Sequence, residues 1–232
     1  NVTGGSHGVN VAGMIGAQGN NGIGVTGINW DVKIMTVVYG SLNEASVIEA
    51  YEYPLQARVK YNETNGAEGA FVVATNSSWG IDGGNPDDAP LWCAFYDTLG
   101  VNGIISCGAT ANNSVDIDVV GDLPTACSSE YMVSVTATNN MDNLTFAAYG
   151  ATTVDLGAPG DNIFTTSNSG YTNTSGTSFA TPLTAGVIGL MYSAPCSNIA
   201  SLALNDPGQA ASDVIGYLFD GVDPVSSLEG IT

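Results

Sequence analysis

His7 is the only histidine in a chain of 232 residues, and it stands in the run Ser6-His7-Gly8-Val9-Asn10-Val11-Ala12-Gly13. Far along the chain, Gly176-Thr177-Ser178-Phe179-Ala180-Thr181-Pro182 leads into an apolar helical pattern of Phe179, Leu183, Val187, Leu190 and Met191. Ser178 therefore falls in the first turn of a predicted helix. A helix start offers unpaired backbone N–H groups and the positive end of the helix dipole. That setting suits a hydroxyl whose attack on a carbonyl creates an oxyanion, and Gly176 lets a substrate backbone come close. An imidazole is the usual base for such a hydroxyl. Taken alone, each box has an ordinary reading: Ser and Thr are common helix caps, and a single His is more often structural than catalytic. The serine box is not the G-x-S-x-G elbow, because position 180 is Ala. Ser6 reads as the N-cap of a histidine helix whose packing face is Val9, Ala12, Gly13 and Ile15.

Other elements must hold these two boxes together. Short apolar runs at 31–39, 69–75, 102–108, 131–138 and 153–157 read as strands covered on both faces. Helical spacing recurs over 44–60, where Pro54 predicts a kink. It recurs over 87–100, where Leu91, Trp92, Phe95 and Leu99 make a stripe behind Asp87 and Asp88. Strands alternating with helices imply right-handed crossovers and a mostly parallel α/β sheet with helices on both faces. No repeat, low-complexity tract or linker interrupts it, so residues 1–232 read as a single domain. In such folds chemistry gathers at the carboxyl ends of the strands. Two tips there are rich in small polar residues: Asn76-Ser77-Ser78-Trp79-Gly80 and Ala109-Thr110-Ala111-Asn112-Asn113.

Composition narrows the function classes. Three basic residues stand against 22 acidic ones, for a net charge of −19. A polyanion would be repelled, so nucleic acid is not an expected partner. The longest weakly charged stretch, 176–195, is studded with Gly, Ser, Thr and Pro and reads as a buried helix, not a membrane span. Cys93, Cys107, Cys127 and Cys196 allow three two-bridge pairings that the sequence does not rank.

The two boxes together resemble the subtilisin-like serine proteases, the subtilases of peptidase family S8. Ser6-His7-Gly8 with Val11-Ala12-Gly13, and Gly176-Thr177-Ser178-Phe179-Ala180 with Pro182, match the family's His and Ser signatures in the right order. Asn20-Asn21-Gly22-Ile23-Gly24-Val25, Asn76-Ser77-Ser78-Trp79-Gly80 and Leu156-Gly157-Ala158-Pro159-Gly160 resemble connecting family segments, so the likeness covers nearly the whole chain. It implies the three-layer subtilisin-like fold. It implies a serine endopeptidase in which Ser178 is the nucleophile and His7 the general base. Asn112 stands where the family places its oxyanion donor, with Asn113 as the neighbour if the turn slips by one. Ser78, Trp79 and Gly80 would line the cleft for a polypeptide substrate bound as an added strand. Pro124 stands where relatives carry a proline near the specificity pocket. No cofactor is required for this chemistry. Asn21, with backbone groups of Ile23 and Val25, resembles a calcium loop of some relatives, but its upstream ligands are missing. Secretion and a monomeric state are further implications.

One part is missing. The family order is Asp, His, Ser, and only six residues precede His7, none of them acidic. No D-S-G or D-T-G occurs anywhere. The expectation is a catalytic domain truncated at both ends, its Asp on an upstream strand, and as a fragment weak in activity and marginal in stability. The alternative is a dead subtilase-like domain that binds peptides without cleaving them. A flavodoxin-like small-ligand binder would explain the sheet but neither box, and no Gly-rich phosphate loop follows the first predicted strand.

Overall fold

The computed structural model describes residues 5–232, so Asn1 lies outside it. Four parallel strands form the central sheet: β1 (Ala74–Ser77), β3 (Ile105–Ala109), β5 (Met132–Thr138) and β6 (Leu156–Pro159), in the order β1-β3-β5-β6. Two antiparallel pairs flank it: β2 (Ile81–Asp82) with β4 (Asp122–Leu123), and β7 (Ile163–Ser167) with β8 (Gly170–Thr174). The helices are α1 (His7–Gly16), α2 (Glu44–Glu63), α3 (Pro90–Val101), α4 (Ile117–Val120), α5 (Thr177–Ser193), α6 (Ser197–Asn205) and α7 (Pro207–Asp220).

Two buried clusters hold the sheet. Ile105, Val133, Val135 and Ala137 pack with Ile188 of α5 and with Val214 and Leu218 of α7. Val47, Tyr51 and Leu55 of α2 pack with Trp92, Tyr96 and Leu99 of α3 and with Ile104. The strands of β3 and β5 are buried along their whole length, as a parallel sheet covered on both faces requires. No single helix among the described residues is long and apolar enough to cross a membrane.

The predicted elements shift in informative ways. The run 31–39 is not a strand: it is extended, without a ladder, and Val38 is 64% exposed. Branched apolar residues favour a pleated surface only where a neighbouring strand supplies one, and no described strand pairs with this run. Residues 69–73 run back along α2, with Ala70 N–H donating to Ala57 C=O at 2.9 Å, so β1 begins at Ala74. Asn102 and Gly103 close α3 and delay β3 to Ile105. The run at 153–157 becomes β6, three residues later, because residues 151–153 form a turn.

Helix α2 continues unbroken through a buried Pro54. Asp87 and Asp88 lie in a short 3-10 turn capped by Asn85, and α3 starts only at Pro90. Leu91, assigned to the buried stripe, is 65% exposed, and Glu44 caps the α3 start by accepting from Leu91 N–H and Trp92 N–H at 2.8 and 3.0 Å. Ser6 is not a cap: its backbone is already helical and its side chain makes no capping bond. The buried face of α1 is Asn10, Val11 and Gly13, while Val9 is 40% exposed. Leu190 of α5 is likewise exposed, and the buried face of that helix is made of small residues such as Ala180, Thr184 and Ala185. One disulfide forms, Cys93–Cys127, tying α3 to the loop after β4; Cys107 and Cys196 are free thiols.

The β7–β8 hairpin seats the histidine helix. Thr165 and Thr166 hydroxyls donate to Asn10 C=O and Val9 C=O at 2.8 and 2.7 Å. A Cβ at Gly13 would overlap Thr166 Oγ1. Gly13→Ala is therefore expected to push α1 off the hairpin and to cost roughly 1–3 kcal/mol of stability, as overpacking does. A chemical melt unchanged within error would contradict this close approach.

Candidate active site

Thr177 opens α5 after Gly176, and Ser178 follows in the first turn. The strand ends reach this helix start from two sides. From β1, the Ser178 hydroxyl donates to Ser78 C=O at 3.2 Å and the Ser78 hydroxyl donates to Ser178 C=O at 2.8 Å. Asn76 Nδ2 donates to Ser78 Oγ at 2.9 Å, and Asn76 Oδ1 is buried without a partner. From β3, Asn112 Oδ1 accepts from Thr177 N–H at 2.9 Å and from the Thr177 hydroxyl at 3.2 Å. The same hydroxyl reaches Thr110 C=O.

The Nδ2 end of Asn112 donates to no group among the described residues. Asn112, not Asn113, is the residue bonded to the α5 start. The Ser178 backbone N–H belongs to a helix start that favours negative charge, and Asn112 is bonded to that start.

His7 occupies the first turn of α1, which packs against α5. Its ring centroid lies 5.6 Å from that of Phe179, the residue after Ser178. Partial burial holds the imidazole below its ordinary value, so it is neutral at neutral pH, the form a base needs. Among the described residues His7 makes no hydrogen bond to Ser178 or to any carboxylate.

Ser78 is buried against Ser178. The Trp79 ring is anchored in an aromatic cluster, 4.9 Å from Tyr39 and 5.7 Å from Trp92. Gly80 passes so close to β4 that a Cβ would overlap Leu123 C=O, and the Leu123–Pro124 bond is cis. The structure thus brings Ser78 to Ser178 and Asn112 to the start of the same helix and sets the His7 ring against Phe179, while Trp79 packs into an aromatic cluster. Asn21 Oδ1 accepts from Ile23 N–H at 2.9 Å in a local turn, so the side chain of the expected calcium loop is already engaged. Among the described residues no cluster of three His, Cys, Asp or Glu side chains is arranged to hold a metal.

Sequence reasoning passed over two contributors and one buried acid. Thr177 bridges Thr110 and Asn112, and Asn76 props Ser78, while Asp122 is buried on β4. Asn76 and Thr177 were visible as members of polar boxes; nothing in the run Gly121-Asp122-Leu123 signals a buried acid.

A parallel α/β sheet with a serine at a helix start and a histidine helix packed on it defines the class, and comparison with known proteins names it. Residues 1–200 match the family model Peptidase_S8, the subtilase family. The chain belongs to the subtilase family. It is 32% identical over 204 residues to an extracellular protease of Xanthomonas campestris pv. campestris, across 81% of this chain and 32% of that protein. It is 34% identical over 188 residues to a cell wall-associated protease of Bacillus subtilis, across 80% of this chain and 19% of that protein. The chain thus spans about a third or less of these relatives. The fold matches a cold-adapted subtilisin-like serine proteinase at a TM-score of 0.66 and 24% identity, over 98% of this chain and 72% of that one. It also matches a chain of the subtilase cytotoxin SubAB at a TM-score of 0.70 and 21% identity, over 98% and 71%.

Proposed function

We propose that this chain carries the nucleophile, the base and the oxyanion donor of a serine endopeptidase. Ser178 Oγ attacks the scissile carbonyl as His7 takes its proton, giving a tetrahedral intermediate. Asn112 Nδ2 and the Ser178 N–H hold the oxyanion. His7 returns the proton to the leaving amine, and water, activated by the same imidazole, releases the acyl group from Ser178. The polypeptide lies as an added strand along Ser78, Trp79 and Gly80.

The observation that carries this reading is the meeting of Asn112 with the α5 start, through the 2.9 Å bond from Thr177 N–H. Asn112→Ala is expected to lower kcat by about 10²–10³ with little change in KM. An unchanged kcat would remove Asn112 from the chemistry.

The orienting acid comes from outside these residues. In support, among the described residues β1 is an edge strand of the sheet, and the extended run 31–39 pairs with no strand. Asp31 and Val32 face Phe71 and Val73 across a cavity of about 190 Å³. The protein acts outside the cytoplasm: the relatives are named extracellular and cell wall-associated, and Cys93–Cys127 suits an oxidising compartment. The direct test is hydrolysis of an unfolded polypeptide by the full-length protein, with loss of activity after fluorophosphonate treatment.

A second reading has one observation in its favour: the Ser178 hydroxyl donates to Ser78 C=O and not to His7. On that reading the domain binds peptides without cutting them. Tight peptide binding by a folded full-length protein that hydrolyses nothing would select it.

A further inference from the structure

Helix α5 contains a proline, Pro182, four residues after Ser178. In an α-helix the N–H of residue 182 would donate to the C=O of residue 178, and proline has no N–H. Ser178 C=O is therefore left without its helical donor, in the very turn that carries the nucleophile. Ser178 is half-buried, so that carbonyl needs a partner from another element.

The partner comes from the residue after β1. The Ser78 hydroxyl donates to Ser178 C=O at 2.8 Å. A hydroxyl has one hydrogen, and the donor that its oxygen accepts from decides where that hydrogen points. Here the oxygen accepts from Asn76 Nδ2 at 2.9 Å, which leaves the Ser78 hydrogen to Ser178. Side chains alternate across a strand, so Asn76 and Ser78 share the side that meets α5. Ser77 turns the other way and bonds the Tyr51 hydroxyl of α2. The Oδ1 end of Asn76 is buried and makes no hydrogen bond among the described residues. Buried acceptors are nearly always paired, so the amide contributes here through its Nδ2 end alone.

We propose that Asn76 is a positioning residue for the nucleophile: it directs the Ser78 hydroxyl onto Ser178 C=O and so replaces the helical bond that Pro182 withholds. This rests on the endopeptidase reading. Asn76 bonds Ser78 and not Ser178, and acts through that hydroxyl. With its carbonyl held, the first turn of α5 keeps the Ser178 hydroxyl and N–H in one direction before substrate arrives. Without that bond the turn shifts, and a displacement of about 1 Å at a reacting group costs up to about 10²-fold in rate. Aspartate has the shape of asparagine, but when ionised it only accepts. At position 76 it would draw the Ser78 hydrogen to itself and away from Ser178.

The test measures kcat and KM of the full-length protein on a chromogenic peptide, with kcat expressed per serine titrated by a fluorophosphonate. It compares Asn76→Asp, Asn76→Ala, Ser78→Ala and the double variant of Asn76→Ala with Ser78→Ala. Asn76→Asp should lower kcat per titrated serine about tenfold with KM within about twofold, and should slow fluorophosphonate labelling by a similar factor. A role in stability alone would lower the titratable fraction and leave kcat per titrated serine unchanged. In the Ser78→Ala background, Asn76→Ala should cost less than about twofold, because residues acting through one hydroxyl are not additive. Wild-type kcat per titrated serine in Asn76→Asp, or an equal loss from Asn76→Ala in both backgrounds, would overturn the role. If Asn76→Ala or the double variant does not fold, Asn76→Asp decides alone. A wild-type protein that neither hydrolyses peptide nor reacts with a fluorophosphonate would instead bring down the endopeptidase reading, and the role of Asn76 with it.

Discussion

Replacing Ser178 by Ala in the full-length protein is expected to lower kcat by on the order of 10⁶, the loss measured for the corresponding change in subtilisin. The size follows from how the parts act together. Without the hydroxyl there is no acyl-enzyme, and His7 has no proton to take. What remains is the oxyanion donor and substrate binding, which alone leave roughly 10³–10⁴ over the uncatalysed reaction. His7→Ala should cost about as much as Ser178→Ala, and the double variant should be no worse than either. KM should stay close to the wild-type value, because Ser78, Trp79 and Gly80 remain in place. A Ser178→Ala protein that keeps more than about a hundredth of wild-type kcat would place the nucleophile elsewhere. Equal and additive losses from the two single changes would separate His7 from Ser178.

The second large effect is on stability. Trp92 of α3 is fully buried. Its Nε1 donates to the Tyr96 hydroxyl at 2.8 Å, and the Tyr51 and Tyr96 hydroxyls lie 3.1 Å apart. Tyr51 in turn bonds the Ser77 hydroxyl. The ring lies 5.7 Å from that of Trp79. Trp92→Ala therefore opens a cavity and strips Tyr96 of its donor. The expected cost is about 3–5 kcal/mol, a fall in Tm of roughly 10 °C for a domain of this size. Trp92→Phe keeps most of the ring and loses only the N–H, so it should cost about 1–2 kcal/mol. Denaturant melts of both variants measure this, and a loss below about 1 kcal/mol in Trp92→Ala would mean that the cluster collapses around the gap. The network ends at Ser77, one residue before Ser78, so the weakened variant should also lose activity ahead of global unfolding.

The sequence was legible where local chemistry and local structure coincide. The His and Ser boxes are helix starts whose small residues stand at consecutive positions, and β5 reads as one buried apolar run. The tip of β3 was legible for the same reason, since Asn112 follows a strand buried along its whole length. What failed to show depends on distant partners. Val9 and Leu190 fit an apolar helical pattern yet face solvent, because Asn10 and Gly13 meet the β7–β8 hairpin and small residues of α5 meet the core. Strand propensity over 31–39 has no effect without a neighbouring strand. Pairing of Cys93 with Cys127, and the burial of Asp122, arise only when β4 pairs with β2 in the folded chain. The missing acid is a different matter: no residue pattern within the chain supplies it, and no described carboxylate takes its place beside His7.

The most direct measurement is fluorophosphonate labelling of the full-length protein, with the modified peptide mapped by mass spectrometry. Stoichiometric labelling at Ser178 that disappears in His7→Ala is the expected result, and it would join the nucleophile to its base in one reaction. A folded protein that takes no label at Ser178, or that labels equally well without His7, would contradict the endopeptidase reading and leave a peptide-binding member of the family.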